Sequence, residues 1–162
     1  MMTYDAYNNA AYAGTLTPKM LKGLLLEMAV SQALDILSVQ HTHNNFDDYA
    51  NQTGGIDLQT EEYVIECKNW SEKTNIDSDT LKSEVVSRFL NYGDFRKLLI
   101  ISRLGIVLID WLKGFQVQTI SLGLDLKPNN YSFMVNLLVY KLKPLFQKNP
   151  NSSCNSLYGV SD

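Results

Sequence analysis

The chain has 162 residues, of which 45% are hydrophobic and 19% are charged, and its formal net charge is −3. This length and composition predict one soluble globular domain and exclude a disordered chain. Residues 1–80 carry a net charge of −8 and residues 81–162 a net charge of +5. This charge asymmetry suits a polyanionic partner, but ordinary solvated surfaces explain it equally well. The weak total charge argues against tight non-specific DNA binding.

The first predicted element is a largely buried helix. Residues 1–16 are polar and rich in Tyr, and we expect an irregular arm without the features of a signal peptide. A helix then begins at Pro18 and ends near Leu37, and it is apolar on nearly every side. Glu27 is the exception. A carboxylate in such a helix needs a cation beside it, unless it lies at the helix edge in solvent or pairs with a nearby Lys.

The polar segment 38–53 predicts a loop with a weak edge strand near residues 45–49. His41 and His43 would face the same way on a strand, which leaves a metal site open as an interpretation. Because no third soft ligand is near them in the sequence, we favour two solvated loop histidines.

The stretch 54–70 predicts a β-hairpin with one charged face. A turn at Glu61 and Glu62 connects the two strands. Strand side chains alternate, so Glu66 and Lys68 share one face while Cys67 points into the core. An even-length loop predicts three opposing pairs, namely Asp57 with Glu66, Leu58 with Ile65, and Gln59 with Val64.

Opposed carboxylates on this hairpin require a positive partner. Side chains directly opposite in an antiparallel pair have Cβ atoms about 4.5 to 5.5 Å apart, so Asp57 and Glu66 would repel. Oxygen ligands without a His or Cys pair suit Mg²⁺ or Mn²⁺. Lys68 would stand beside the ion and hold a water nucleophile or neutralise a phosphate. These residue types predict phosphodiester chemistry.

Three short motifs fall on these elements: Lys22-Gly23-x-x-x-Glu27 on the helix, and Ile56-Asp57 and Glu66-Cys67-Lys68 on the hairpin. The hairpin motifs resemble the active site of the PD-(D/E)xK nuclease superfamily, which includes Mrr-like and type II restriction enzymes and archaeal Holliday-junction resolvases. The helix motif is similar to the resolvase pattern. The resemblance covers roughly residues 18–110, with Ile56 in place of the usual Pro.

The resemblance implies an α/β protein with a restriction endonuclease-like core, a central mixed β-sheet flanked by helices in the order αβββαβ, plus C-terminal strands and a helix. It implies a Mg²⁺- or Mn²⁺-dependent DNA endonuclease that hydrolyses phosphodiester bonds. Asp57 and Glu66 would ligate the metal, Glu27 would complete or support its shell, and Lys68 would position the attacking water. Many members act as dimers, so a homodimer is a further expectation.

A Glu-x-Lys motif alone has little weight, because it arises by chance in a chain of this length. Asp125-Leu126-Lys127 is a similar sequence without an acidic strand ahead of it. The combination of hairpin, opposed acid and helix acid favours the nuclease. The alternative is a non-catalytic DNA-binding or structural protein, associated with a virus or plasmid, on a nuclease-like fold.

The remaining elements follow in order. Trp70 either stacks on a DNA base or lies half-buried at the strand end. A helix is predicted from residue 78 or 79 to 91, with Lys82 and Arg88 as phosphate contacts. After this helix, residues 97–102 predict a buried parallel strand, and residues 106–111 and 115–122 predict two strands around a turn. A helix is predicted from residue 131, with a strand as the alternative, and residues 149–162 are expected to be a disordered tail.

Residues 1–148 are thus expected to form one domain. Cys67 and Cys154 are not expected to form a disulfide, which favours a reducing cytoplasm. The most apolar stretch, 98–112, is interrupted by Arg103 and Asp110, so we expect no membrane span.

Overall fold

The computed structural model describes residues 14, 18–43, 57–69, 74–75, 97–107, 117–124 and 127–147. In this part of the chain, two helices pack on one face of a mixed β-sheet. In chain order the elements are α1 (Pro18–Ile36), β1 (His41–His43), β2 (Leu58–Thr60), β3 (Tyr63–Lys68), β4 (Thr74–Asn75), β5 (Lys97–Ser102), β6 (Ile106–Val107), β7 (Val117–Ser121), a 3-10 helix (Pro128–Asn130) and α2 (Tyr131–Phe146). The α/β class predicted from the sequence is confirmed.

Helix α1 is buried because it packs between the sheet and α2. Every residue from 24 to 30 is buried, which fits a helix that is apolar on nearly all sides. The predicted bounds are confirmed, with Pro18 as the first helical residue. The helix ends at Ile36, and Ser38, two residues later, adopts a left-handed conformation with φ of 58° and directs the chain back along α1 into β1.

The main sheet has the strand order β1-β2-β3-β5-β7. Strands β1, β2 and β3 are antiparallel neighbours, whereas β3, β5 and β7 are parallel. The predicted hairpin is confirmed, and its ladder pairs Leu58 with Ile65 and Gln59 with Val64 as expected. Asp57 lies just before β2, outside that ladder.

Strand β5 is the central strand that the apolar sequence KLLIIS predicts. Residues 98–102 are all buried, so both faces of the strand are covered. Its parallel pairing with β3 is confirmed, and it places Ile100 beside Glu66 and Ser102 beside Lys68. The carboxyl ends of these two strands therefore lie at the same edge of the sheet.

Two sequence predictions about strands are corrected by the structure. Strand β1 lies at residues 41–43, where a solvated loop was expected. Its sequence lacks apolar alternation, and it is a strand because its backbone pairs with β2. The predicted hairpin of 106–111 and 115–122 is not formed by its described residues, since β6 pairs with β4 in a second sheet and β7 extends the main sheet beside β5; residues 108–116 lie outside the described part of the chain. The Lys113-Gly114 sequence indicates a turn from neighbouring residues only, whereas the position of β7 in the sheet is set by its parallel pairing with β5.

Helix α2 covers the same face of the sheet as α1. Its helical prediction is confirmed and the alternative strand is wrong. Met134, Val135, Leu138 and Leu142 are its buried residues. The ring of Phe146 packs edge-on against Tyr63 of β3, with centroids 5.2 Å apart, so the last turn of α2 is fixed to the sheet.

Several predicted segments lie outside the described residues: the arm 1–16 apart from Gly14, the strand at 45–49, the helix at 78–91 and the tail 149–162. In the part of the chain that is described, no helix has the length and apolarity needed to cross a bilayer.

Leu99 and Leu124 provide a matched test of the core. Leu99 on β5 is fully buried, whereas Leu124 is 48% exposed. We expect Leu99→Ala to lower the free energy of unfolding by about 2 to 5 kcal/mol because it leaves a cavity. Leu124→Ala should change it by less than about 0.5 kcal/mol. Urea denaturation of both variants measures the difference, and equal losses would contradict this core.

Candidate active site on the β2–β3 hairpin

Glu66 and Lys68 project from the polar side of β3, as predicted. Their neighbour Cys67 belongs to the hydrophobic core on the opposite side. Glu66 is 1% exposed, and its Oε2 atom lies 3.7 Å from the Lys68 Nζ atom. A buried carboxylate is costly without a positive partner, so this ammonium group offsets part of its desolvation. The Lys68 side chain is 16% exposed and is the more accessible member of the pair.

Asp57 is fixed to the same strand by a backbone contact. Its Oδ2 atom accepts a hydrogen bond from the Cys67 N–H at 2.7 Å. Bonds of this kind between a carboxylate and an N–H are short and strong. Asp57 therefore lies beside the residue that follows Glu66, instead of forming the ladder pair with Glu66 that the hairpin register predicts.

Glu27 brings a second buried carboxylate to the region from α1. It is 1% exposed, so the alternative of a solvated residue at the helix edge is wrong. Its Oε2 atom lies 3.1 Å from the His43 Nε2 atom on β1. Because His43 pairs with Leu58, the residue after Asp57, β1 connects the helix acid to the hairpin.

His43 was not identified by the sequence as a site residue, and the expectation that it is solvated is wrong. Its side chain is 3% exposed. Burial lowers the pKa of His43, because the imidazolium loses its hydration. A neutral ring with the proton on Nε2 donates to Glu27, and Nδ1 has no hydrogen-bond partner among the described residues. The His-x-His spacing is the sequence feature that could have indicated two histidines facing α1, because alternate strand positions face the same way.

His41 faces α1 as well, but its contacts differ. Its Nε2 atom lies 2.8 Å from the Ser31 hydroxyl, and its Nδ1 atom lies 2.9 Å from the Val39 carbonyl oxygen. A Ser–His pair is also found in hydrolases. Ser31 is fully buried, however, so no substrate reaches its hydroxyl group in this structure. The pair fastens β1 to α1.

The Cys67 thiol, on the helix side of β3, is influenced electrostatically by the four predicted charged residues. Burial raises the pKa of the Cys67 thiol well above its ordinary value, and Asp57, Glu27 and Glu66 raise it further. Lys68 acts in the opposite direction. Electrostatic effects of this kind weaken steeply with distance and solvent screening. Glu66 and Lys68 lie on the face of β3 opposite Cys67 and the helices, whereas Glu27 lies on α1 and contacts His43.

The donor chemistry fits a hard divalent cation. Within the described residues, no three His, Cys, Asp or Glu side chains are grouped closely enough to hold a metal ion. Mg²⁺ needs fewer protein ligands than this, because one or two carboxylates, water and a substrate phosphate complete its shell. Asp57 and Glu66 are the two carboxylates of the hairpin that such an ion would have to share. The two histidines instead contact separate side chains of α1.

The backbone of Arg103, which the sequence did not single out as a site residue, lies next to the end of β3. Its backbone N–H donates to the Lys68 carbonyl oxygen at 3.1 Å. Its position directly after the buried strand β5 was the available signal, because parallel strands end at the same edge. The predicted DNA contacts Trp70, Lys82 and Arg88 lie outside the described residues.

No protein-family model, no curated protein and no solved structure matches this chain. Its function is therefore inferred from the geometry of these residues.

The reactivity of Cys67 tests the electrostatics of the site. Because burial and the nearby carboxylates raise its thiol pKa, little thiolate is present at pH 8. We expect Cys67 to resist iodoacetamide in the folded protein and to react readily in denaturant. Peptide mapping by mass spectrometry measures this. Fast labelling in the folded state would contradict the buried, acid-surrounded position.

Proposed function

We propose that this protein is a metal-dependent DNA endonuclease with a restriction endonuclease-like core. The observation that carries the proposal is the buried Glu66–Lys68 ion pair on β3, next to Asp57, whose carboxylate accepts a hydrogen bond from the Cys67 N–H. The order of elements supports it, since a helix, an antiparallel hairpin and a parallel strand beside the hairpin build the site. The reaction is hydrolysis of a phosphodiester bond.

Asp57 and Glu66 are the residues that would hold Mg²⁺ or Mn²⁺, and Glu27 would support the site from α1. When bound, such an ion stabilises charge on phosphate oxygens and lowers the pKa of a bound water. The hydrogen bond from the Cys67 N–H holds Asp57 in one orientation. The Glu66 carboxylate is restrained by its burial and by Lys68.

Lys68 positions the attacking water and neutralises charge on the phosphate. Its ammonium group lies next to Glu66, and it is more exposed than either buried carboxylate. The substrate therefore approaches from the Lys68 side of the hairpin. Arg103 follows β5 at the same edge and adds a positive charge suited to a DNA phosphate. Cleavage of both strands would involve a homodimer.

Glu66 and Lys68 are tested by cleavage assays with plasmid, single-stranded and branched DNA in Mg²⁺ or Mn²⁺. We expect Glu66→Gln and Lys68→Ala to reduce the rate by at least about 100-fold, the scale of a lost catalytic proton-transfer or charge-stabilising group. The controls are Glu61→Gln in the exposed turn of the hairpin and Lys127→Ala at the exposed Lys127 of the Asp125-Leu126-Lys127 sequence. Both controls should cleave like the unmodified protein.

Undiminished cleavage by Glu66→Gln or Lys68→Ala would overturn the proposal, provided that a chelator stops the reaction. Absence of cleavage of all three DNA forms by the unmodified protein would overturn it as well.

The second candidate is a non-catalytic DNA-binding or structural protein. One observation favours it: the ion pair of Glu66 with Lys68 and the hydrogen bond of Asp57 to Cys67 stabilise the hairpin without a metal. In this case DNA binding persists in a chelator, and metal has no effect on the melting temperature.

Variants of Asp57 separate the two candidates. Asp57→Ala removes the acceptor of the Cys67 N–H and should cost about 1.5 to 3 kcal/mol of stability. Asp57→Asn keeps an acceptor oxygen and should cost less. If Asp57 binds a metal, both variants lose cleavage; thermal unfolding and the cleavage rate measure the two effects separately. An active Asp57→Asn variant would show that Asp57 is only structural.

A further inference from the structure

Helix α2 is apolar on two opposite sides, and the fold covers only one of them. The side that faces the core holds the buried residues of the helix. The opposite side holds a row of apolar residues, here called the α2 stripe: Phe133, Leu137, Tyr140 and Pro144. The outer side of a surface helix normally carries polar and charged residues, so this row indicates a surface for a partner.

The two aromatic side chains of the α2 stripe are mostly exposed to solvent. Tyr140 is 78% exposed and Phe133 is 58% exposed. Leu137 lies between them along the helix and is partly buried against the core. Because an aromatic side chain has about 150 to 250 Å² to bury, the two rings leave roughly 200 to 340 Å² uncovered. Connected apolar surface of this kind marks interaction sites on soluble proteins.

The spacing of the α2 stripe fits a second copy of the same helix. Its members are separated by four, three and four residues, which is the spacing of a coiled-coil seam. This order reads the same from both ends. An antiparallel copy therefore places Phe133 opposite Pro144, and Leu137 opposite Tyr140. Each apolar side chain meets another one across a two-fold axis, as a self-complementary interface requires.

The charges beside the α2 stripe favour the antiparallel direction. Helix α2 carries Lys141 and Lys143 and has no acidic residue. In a parallel pair each lysine would lie beside its own copy, and the two like charges would repel. In an antiparallel pair Lys141 lies opposite Asn136, which is exposed and uncharged. The amide oxygen of an asparagine accepts a hydrogen bond from an ammonium group.

We propose that the α2 stripe is a homodimer interface, in which two copies of α2 pack antiparallel about an axis between Leu138 and Val139. This inference does not rest on the proposed function. The four rings of a dimer supply roughly 400 to 680 Å², less than the about 1,200 Å² at the lower end of stable interfaces. The dimer is therefore weak, with a dissociation constant above about 1 μM.

The test is sedimentation velocity of the full chain across a concentration range centred on that weak affinity, from about 5 to 500 μM. We expect the unmodified protein to shift from monomer to dimer as its concentration rises. Phe133→Glu and Tyr140→Glu should each weaken the dimer by at least about 30-fold, the scale of a central interface residue. Both positions are exposed, so circular dichroism should show unchanged folding.

Ile36→Glu is the matched control. Ile36 is 55% exposed, almost the same fraction as Phe133, but it lies on α1, outside the α2 stripe. This variant should dimerise like the unmodified protein. Equal weakening by Ile36→Glu would show that exposed apolar residues associate without a defined surface, and would overturn the proposal.

A mixture of two variants tests the direction of the helices. Phe133→Glu in one chain and Pro144→Lys in the other bring opposite charges face to face only in the antiparallel pair. We expect this mixture to form a dimer more tightly than Phe133→Glu alone. No gain in the mixture would overturn the antiparallel arrangement.

Two further results would overturn the proposal as a whole. One is an unmodified protein that remains monomeric at every concentration, which would leave the α2 stripe to a different partner. The other is a dimer that Phe133→Glu and Tyr140→Glu do not weaken, which would place the interface on another surface.

Discussion

The burial of charged groups around β3 is the constraint on which the rest of the structure depends. Glu66 is almost fully buried on a strand whose other face lies in the hydrophobic core. An isolated carboxylate in such a place costs several kcal/mol, so its neighbours must compensate. Lys68 provides the charge, and a backbone N–H of the same strand fixes Asp57 beside it. A fold rarely retains this much buried charge at one point unless the arrangement has a use.

The fold assembles this region from segments that are distant in sequence. The parallel strand β5 covers one edge of β3, and the hairpin partner β2 covers the other. Helix α1, held against the sheet by α2, contributes Glu27, and β1 contributes His43. Because each element is fixed by core packing or by backbone pairing, the charged side chains occupy defined positions. A site carried by secondary-structure elements is more rigid than a site carried by loops.

Local patterns in the sequence predicted the hairpin, its register and the central strand. Alternation around a polar turn specifies which residues oppose each other, and the run at 97–102 is too apolar for an edge strand. The unusual position of Glu27 in an apolar helix also indicated that its carboxylate has a polar or positively charged partner. Strand β1 was not predictable in this way, because His41-Thr42-His43 has no apolar period and pairs with β2 about 17 residues later. The position of β7 depends on its non-local pairing with β5 in the same manner.

The central claim is that Asp57 and Glu66 share one divalent cation beside Lys68. The most direct measurement is anomalous diffraction from a crystal soaked with Mn²⁺. We expect an anomalous peak within about 2.0 to 2.3 Å of carboxylate oxygens from both Asp57 and Glu66, a distance typical of hard divalent ions with oxygen ligands. A soaked crystal without a peak at this position, or with the two carboxylates on opposite faces of the sheet, would contradict the claim.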